Sequence, residues 1–220
     1  MKTRVEGIAA GRRAGADRAV LLAHGAGSDL DAAPLRAVAR ELTRRGIPSL
    51  RFNFAYRDAG RRPPDRPPVL GAAVREAAAR LSRRTGLAPE RLVLGGRSMG
   101  GRICSTVVGA PTDEDPLAAL GLLLLGYPLH PAGRPDRLRT EHFSRLCVPC
   151  LFVSGTRDAL ATGDELRAET RAIRAPVRFE WLETADHGFR PLRSSATTAE
   201  ALLVRVAEAS ADWVEWLPER

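Results

Sequence analysis

Six apolar runs of strand length recur along the chain: Ala19–Ala23, Ser49–Phe54, Leu92–Gly95, Leu120–Leu125, Leu151–Ser154 and Val177–Leu182. Several of them, Leu120–Leu125 above all, are apolar without alternation. A strand with no polar side must be covered on both faces, which is the situation of a parallel sheet between two helical layers. Parallel neighbours need long crossovers, and the intervening segments supply them. Helical patterns fall near Pro34–Arg45, Leu70–Arg84, Ser98–Val108, Gly163–Ile173 and Thr198–Trp216. In Leu70–Arg84, Ala73, Ala77, Ala78 and Leu81 recur at helical spacing, opposite Arg75, Glu76 and Arg80. Gly46 and Gly86 stand where helices stop. The expected fold is therefore α/β, a three-layer α/β/α sandwich built on a mostly parallel sheet.

A chain of 220 residues suits one domain, here spanning 1–220. The proline-rich piece Arg61–Pro68 is expected to be a loop, since proline fits neither a helix interior nor an inner strand. The stretch Gly126–Arg145 is also loop-like and is expected to cover the site with a short flap. The longest apolar run, Leu117–Leu125, is broken by Gly121 and falls short of the ~20 residues that span a bilayer. Met1–Gly7 lacks the apolar core of a signal peptide, so no membrane association and a cytoplasmic location are expected. The formal charge is +8, but Lys2 is the sole lysine and the arginines are scattered among acidic residues. Dispersed charge without a basic stripe argues against a nucleic-acid partner. Three cysteines do not make a disulfide framework. Cys147-Val-Pro-Cys150 leads into a strand rather than a helix, so both thiols read as structural.

The chemistry is carried by Gly96-Arg97-Ser98-Met99-Gly100, which follows a strand and opens a helix. That context is a nucleophile elbow, a sharp turn that lifts a serine hydroxyl above the sheet edge. A serine is a poor nucleophile until a base takes its proton, and the base needs an acid to fix its tautomer. Two later strand ends supply both in order: Gly155-Thr-Arg-Asp158, then Ala185-Asp-His187-Gly-Phe189. His130 and His142 lie in the irregular stretch, and His24 precedes the serine. Among the acids, Asp164 reads as a charge at a helix N-terminus, and Asp186 adjoins the histidine too closely to reach its far nitrogen. Ser98, His187 and Asp158 are the expected nucleophile, base and orienting acid. An oxyanion needs two backbone N–H groups, for which Met99 and Ala26, in His24-Gly-Ala-Gly27, are the candidates. His24, Arg57 and Arg97 are candidates for contacting substrate. Arg57, with Arg61 and Arg62, follows a strand end, although solvated or structurally paired arginines are the favoured reading in a chain so rich in arginine.

His24-Gly-Ala-Gly27, Gly96-Arg-Ser-Met-Gly100, Gly155-Thr-Arg-Asp158 and Asp186-His-Gly188 together resemble the α/β-hydrolase superfamily. Gly95–Arg102 with Leu22–Gly27 resembles, more narrowly, its small dienelactone-hydrolase-like group. The resemblance runs from about Ala19 to the final helix. It implies an eight-stranded type of sheet, a Ser98–His187–Asp158 triad, a small-molecule acyl substrate, and neither a cofactor nor a metal. Dienelactone hydrolases use a cysteine where this chain has Ser98, so their particular reaction does not transfer. Only 60 positions separate Ser98 from Asp158, which leaves no room for a large lid domain. The function expected is a serine hydrolase of ester or related acyl bonds. The alternatives are an acyltransferase using the same residues, or an interaction protein that keeps the fold without the chemistry.

Overall fold

The computed structural model of the chain describes residues 5–6 and 16–218. The N-terminal stretch read for a leader, apart from residues 5–6, lies outside the described residues. Seven strands form one sheet: β1 (Val5–Glu6), β2 (Ala19–Ala23), β3 (Ser49–Phe52), β4 (Leu92–Arg97), β5 (Gly121–Leu125), β6 (Cys150–Gly155) and β7 (Val177–Leu182). Their spatial order is β1-β3-β2-β4-β5-β6-β7, parallel throughout except for β1, which pairs antiparallel with β3. The eight-stranded type implied by the resemblance is thus met with seven strands among the described residues.

The helices are α1 (Ala33–Arg44), α2 (Ala55–Asp58), α3 (Pro67–Thr85), α4 (Met99–Val108), α5 (Gly163–Glu169) and α6 (Ala199–Trp216). Two buried clusters mark the two faces of the sheet. One packs Leu35, Val38 and Leu42 of α1 with Val206, Trp213 and Val214 of α6 against Val20, Leu22, Leu123 and Val153. The other packs Val74 and Leu81 of α3 with Ile103 and Val107 of α4 against Leu21, Leu94, Leu122 and Phe152. The alternating direction of strand side chains sends Leu122 to one layer and Leu123 to the other. The sandwich is as expected, and no lid domain is evident.

The proline stretch departs from expectation at its end. Pro67 and Pro68 are not loop but the first two residues of α3. The first turn of a helix has N–H groups without intrahelical acceptors, so a residue lacking one costs nothing there, and its fixed φ suits the helix. At the other end Gly86 terminates α3 with φ 72°, in the left-handed region that glycine adopts without steric cost. Arg45, just past α1, binds Glu41 of its own helix at 2.7 Å and Asp212 and Glu215 of α6 at 2.6 Å each. This ion network aligns the C-terminal ends of the two helices. Cys104, Cys147 and Cys150 are free thiols. Burial pushes Cys104 and Cys150 up to about 12, which leaves both protonated and unreactive.

Candidate active site

The C-terminal ends of β2, β4, β6 and β7 converge, and each delivers one part of the site. β4 ends in the elbow. Ser98 has φ 50° and ψ −116°, a strained conformation for a residue with a side chain. Its N–H donates to Leu125 O at 2.9 Å, which secures the turn to β5. The flanking glycines leave room for the neighbouring strand end: a Cβ on Gly96 would lie 2.0 Å from Ala23 O, and one on Gly100 would lie 2.3 Å from the same oxygen.

Ser98 Oγ lies 3.0 Å from His187 Nε2, and His187 Nδ1 lies 2.7 Å from Asp158 Oδ2. The three side chains predicted from three separate strand ends thus form one hydrogen-bonded line. Asp158 is buried after β6, and its other oxygen, Oδ1, accepts the Leu160 N–H at 2.8 Å. The His187 side chain retains 26% of its exposure and Ser98 is half-buried, so the serine end of the line reaches solvent. Asp186 has a different task. Its Oδ1 accepts the N–H groups of Gly188 at 2.7 Å and Arg190 at 2.9 Å, and this closes the turn that presents the imidazole.

The turn after β2 lies against Ser98, since a Cβ on Gly25 would stand 3.5 Å from Ser98 Cβ. Ala26 is exposed at the tip of this turn. Met99 is the first residue of α4, where the N–H has no intrahelical acceptor. Among the described residues, neither this N–H nor that of Ala26 donates to a backbone carbonyl.

His24 was expected to contact substrate, and the structure corrects this. It is fully buried, its Nδ1 lies 2.8 Å from Gly25 O, and its Nε2 accepts the Phe54 N–H at 3.1 Å. Burial holds its pKa below the ordinary value, so the neutral ring ties β2's turn to the end of β3. Arg97 also turns away from open solvent. Its Nη2 donates to His187 O, and its guanidinium lies 4.8 Å from the Phe189 ring centroid. Arg57 sits on α2 with Nη2 3.9 Å from Asp29 Oδ2 and with Nε buried without an acceptor among the described residues. Arg61 pairs with Asp65 at 2.7 Å, as a surface arginine would. Gly126–Arg145 begins with buried Tyr127 and Leu129 and covers one side of α4, where Ser105 Oγ meets His142 Nε2 at 2.8 Å. No group of three or more metal-ligating side chains occurs among the described residues. None of their helices is long and apolar enough to cross a membrane.

A model of the alpha/beta hydrolase domain family matches residues 16–215, and the chain belongs to that family. Its fold is similar to that of an alpha-beta serine hydrolase homologue from Coxiella burnetii, with TM-score 0.69, 16% identity and 96% of each chain covered. It is similar to dienelactone hydrolase from Anabaena variabilis, with TM-score 0.66 and 20% identity over 93% of this chain and 89% of that one. The esterase domain of a Rhodothermus marinus protein matches with TM-score 0.66 and 18% identity over 98% and 93%.

Proposed function

We propose that the chain is a serine hydrolase of ester or related acyl bonds, with Ser98 as nucleophile, His187 as base and Asp158 as orienting acid. The observation that carries this reading is the unbroken line from Ser98 Oγ through His187 to the buried Asp158 carboxylate, at 3.0 and 2.7 Å. The esterase and serine hydrolase neighbours support it at the level of fold.

In the first half-reaction Ser98 Oγ attacks the carbonyl carbon, and its proton passes to His187 Nε2. Asp158 remains ionised and stabilises the imidazolium through Nδ1–H. The tetrahedral oxyanion is met by the N–H groups of Met99 and Ala26, which have no competing backbone acceptor among the described residues. The intermediate collapses, the bond to the leaving alcohol breaks, and Nε2 returns the proton to that alcohol. Water then repeats the sequence on the acyl-serine and releases the acid. The substrate is a small acyl compound, and no cofactor enters the scheme. A cytoplasmic location belongs to the same reading and is supported by the three free thiols.

The test is labelling with a fluorophosphonate probe, together with turnover of a panel of short esters and thioesters, for the wild type and Ser98→Ala. The wild type should label and turn over, and the variant should lose about a thousandfold or more in kcat. A folded wild type that neither labels nor hydrolyses any member of the panel would refute the proposal and favour an interaction role.

A further inference from the structure

His187 lies on the irregular connection of residues 183–198 between β7 and α6. Its ring is held at Nδ1 by Asp158, but a ring held at one atom can still swing about that bond. What fixes the backbone beneath it is therefore important. The turn closes through Asp186 N–H to Arg190 O and Phe189 N–H to Asp186 O, both at 2.9 Å. These bonds shape the turn without joining it to the nucleophile.

Arg97 makes that join. It is the last residue of β4, immediately before Ser98, so its main chain is part of the elbow. Its Nη2 donates to His187 O. Its Nη1 lies 3.4 Å from Leu125 O, 3.5 Å from Gly126 O and 3.4 Å from His187 Nε2. One face rests on Phe189, the second residue after the histidine. The opposite wall is cut back to admit it: Gly126 has φ +59°, and a Cβ there would stand 2.7 Å from Nη1. No carboxylate comes within ion-pair distance of this guanidinium among the described residues. Burial pushes its pKa down to about 10, partly offset by the Asp158 and Asp186 carboxylates beyond ion-pair reach, so it stays protonated at neutral pH. A half-buried cation whose contacts are carbonyls, an imidazole and a ring, with no carboxylate in ion-pair contact, is costly to keep, and a surface salt bridge would be easier to build.

We propose that Arg97 is a positioning residue that fastens the His187 connection to the elbow and so sets Nε2 over Ser98 Oγ; this inference rests on the triad reading above. Nε2 has a single lone pair, approached by Ser98 Oγ at 3.0 Å and by Arg97 Nη1 at 3.4 Å. Ser98 is the nearer donor. When Nε2 takes up the serine proton, Nη1 has the Leu125 and Gly126 carbonyls to turn to. The side chain is thus the weaker competitor for that lone pair, while its Nη2 fastens the His187 carbonyl.

Three variants test this: Arg97→Met, Arg97→Lys and the control Ser98→Ala. Each is read by thermal melt, fluorophosphonate inactivation rate, kcat and KM on an ester from the panel, and the downfield proton resonance of His187 Nδ1–H. Arg97→Met should lose about 100-fold in kcat and in inactivation rate, the cost of a base displaced by about an ångström. KM should stay within about threefold, and the downfield resonance should broaden through exchange while the melt stays cooperative. Arg97→Lys should recover part of the rate, because one ammonium can reach His187 O but cannot span both sets of carbonyls. An Arg97→Met protein with wild-type inactivation rate and a sharp resonance overturns the proposal. If Arg97→Met does not fold, a folded Arg97→Lys with wild-type kcat and resonance overturns it equally. A wild type that fails to label refutes the triad reading instead, and the resonance reports the imidazole geometry whether or not the protein turns over.

Discussion

The Asp158→Asn substitution isolates the part played by a single proton. The two oxygens of Asp158 have different partners: Oδ1 accepts the Leu160 N–H at 2.8 Å, and Oδ2 accepts the His187 Nδ1–H at 2.7 Å. An asparagine offers one oxygen and one NH2 group in the same space. Aiming the NH2 at the Leu160 N–H would set two donors against each other and leave a main-chain donor unsatisfied, at about 1–3 kcal/mol. An imidazole can avoid the conflict by moving its proton. The amide oxygen therefore keeps Leu160, and the NH2 faces Nδ1, which becomes an acceptor. The ring proton then sits on Nε2, and Nε2 meets Ser98 as a donor that cannot take the serine proton. The expected loss is about 10⁴-fold in kcat, which is about 5.4 kcal/mol of barrier. Shape and burial are conserved, so the thermal midpoint should move by only a few degrees. The assay is the fluorophosphonate inactivation rate with ester turnover at pH 8, beside a melt of the same sample. A folded variant within tenfold of wild-type kcat/KM would refute the orienting role of Asp158.

Two further predictions concern stability. His142 is buried against Ser105, and desolvation, with the nearby Arg145 and Arg102 cations, lowers its pKa to about 4. Because the folded-state value lies below the unfolded ~6.5, this neutral histidine favours the fold above pH ~6.5, and the contribution is lost as pH falls toward 4, worth about 3 kcal/mol in all. Urea unfolding at pH 7 and 4.5 should show a steeper loss for the wild type than for His142→Gln, and equal losses would refute the assignment. Gly96→Ala would place a Cβ 2.0 Å from Ala23 O at a residue whose φ is 149°. It should cost more than about 3 kcal/mol, so a urea midpoint near that of the wild type would show that the elbow and β2 are less tightly apposed than described.

What could be seen in the sequence was whatever a strand end and its turn carry locally. Ser98, Asp158 and His187 each follow an apolar run, while the helix start at Asp164 and the adjacency of Asp186 to the histidine set those two acids apart from Asp158. The structure gives each rejected acid other work, with Asp186 binding the Gly188 and Arg190 amides and Asp164 standing in the first turn of α5. His24 was misjudged because the motif places it beside the site, while its role depends on Phe54, 30 residues away, which takes up its second nitrogen. The proline stretch was misjudged for a different reason. Proline excludes a helix interior but not a helix start, and nothing local marked Arg66 as the cap. Arg97 shows the general limit. Its neighbours Gly126, His187 and Phe189 come together only through the order of strands β4, β5 and β7. The one local hint was a basic residue inside an otherwise small and apolar elbow.

The oxygen of Ala23 lies in the gap left by Gly96 and Gly100. A single carbonyl thus acts as a peg between two turns that come from different strands. The turn at Gly25–Gly27 and the turn at Ser98 cannot shift relative to each other without one colliding with that peg. If the site works as proposed, its adaptation to larger or smaller acyl groups has to come from elsewhere. The more exposed chain lies in the Gly60–Arg66 loop and in the outer part of Gly126–Arg145, away from the rigid pair. Under that reading, substitutions in such outer chain would change which group is accepted and leave the two pegged turns in register.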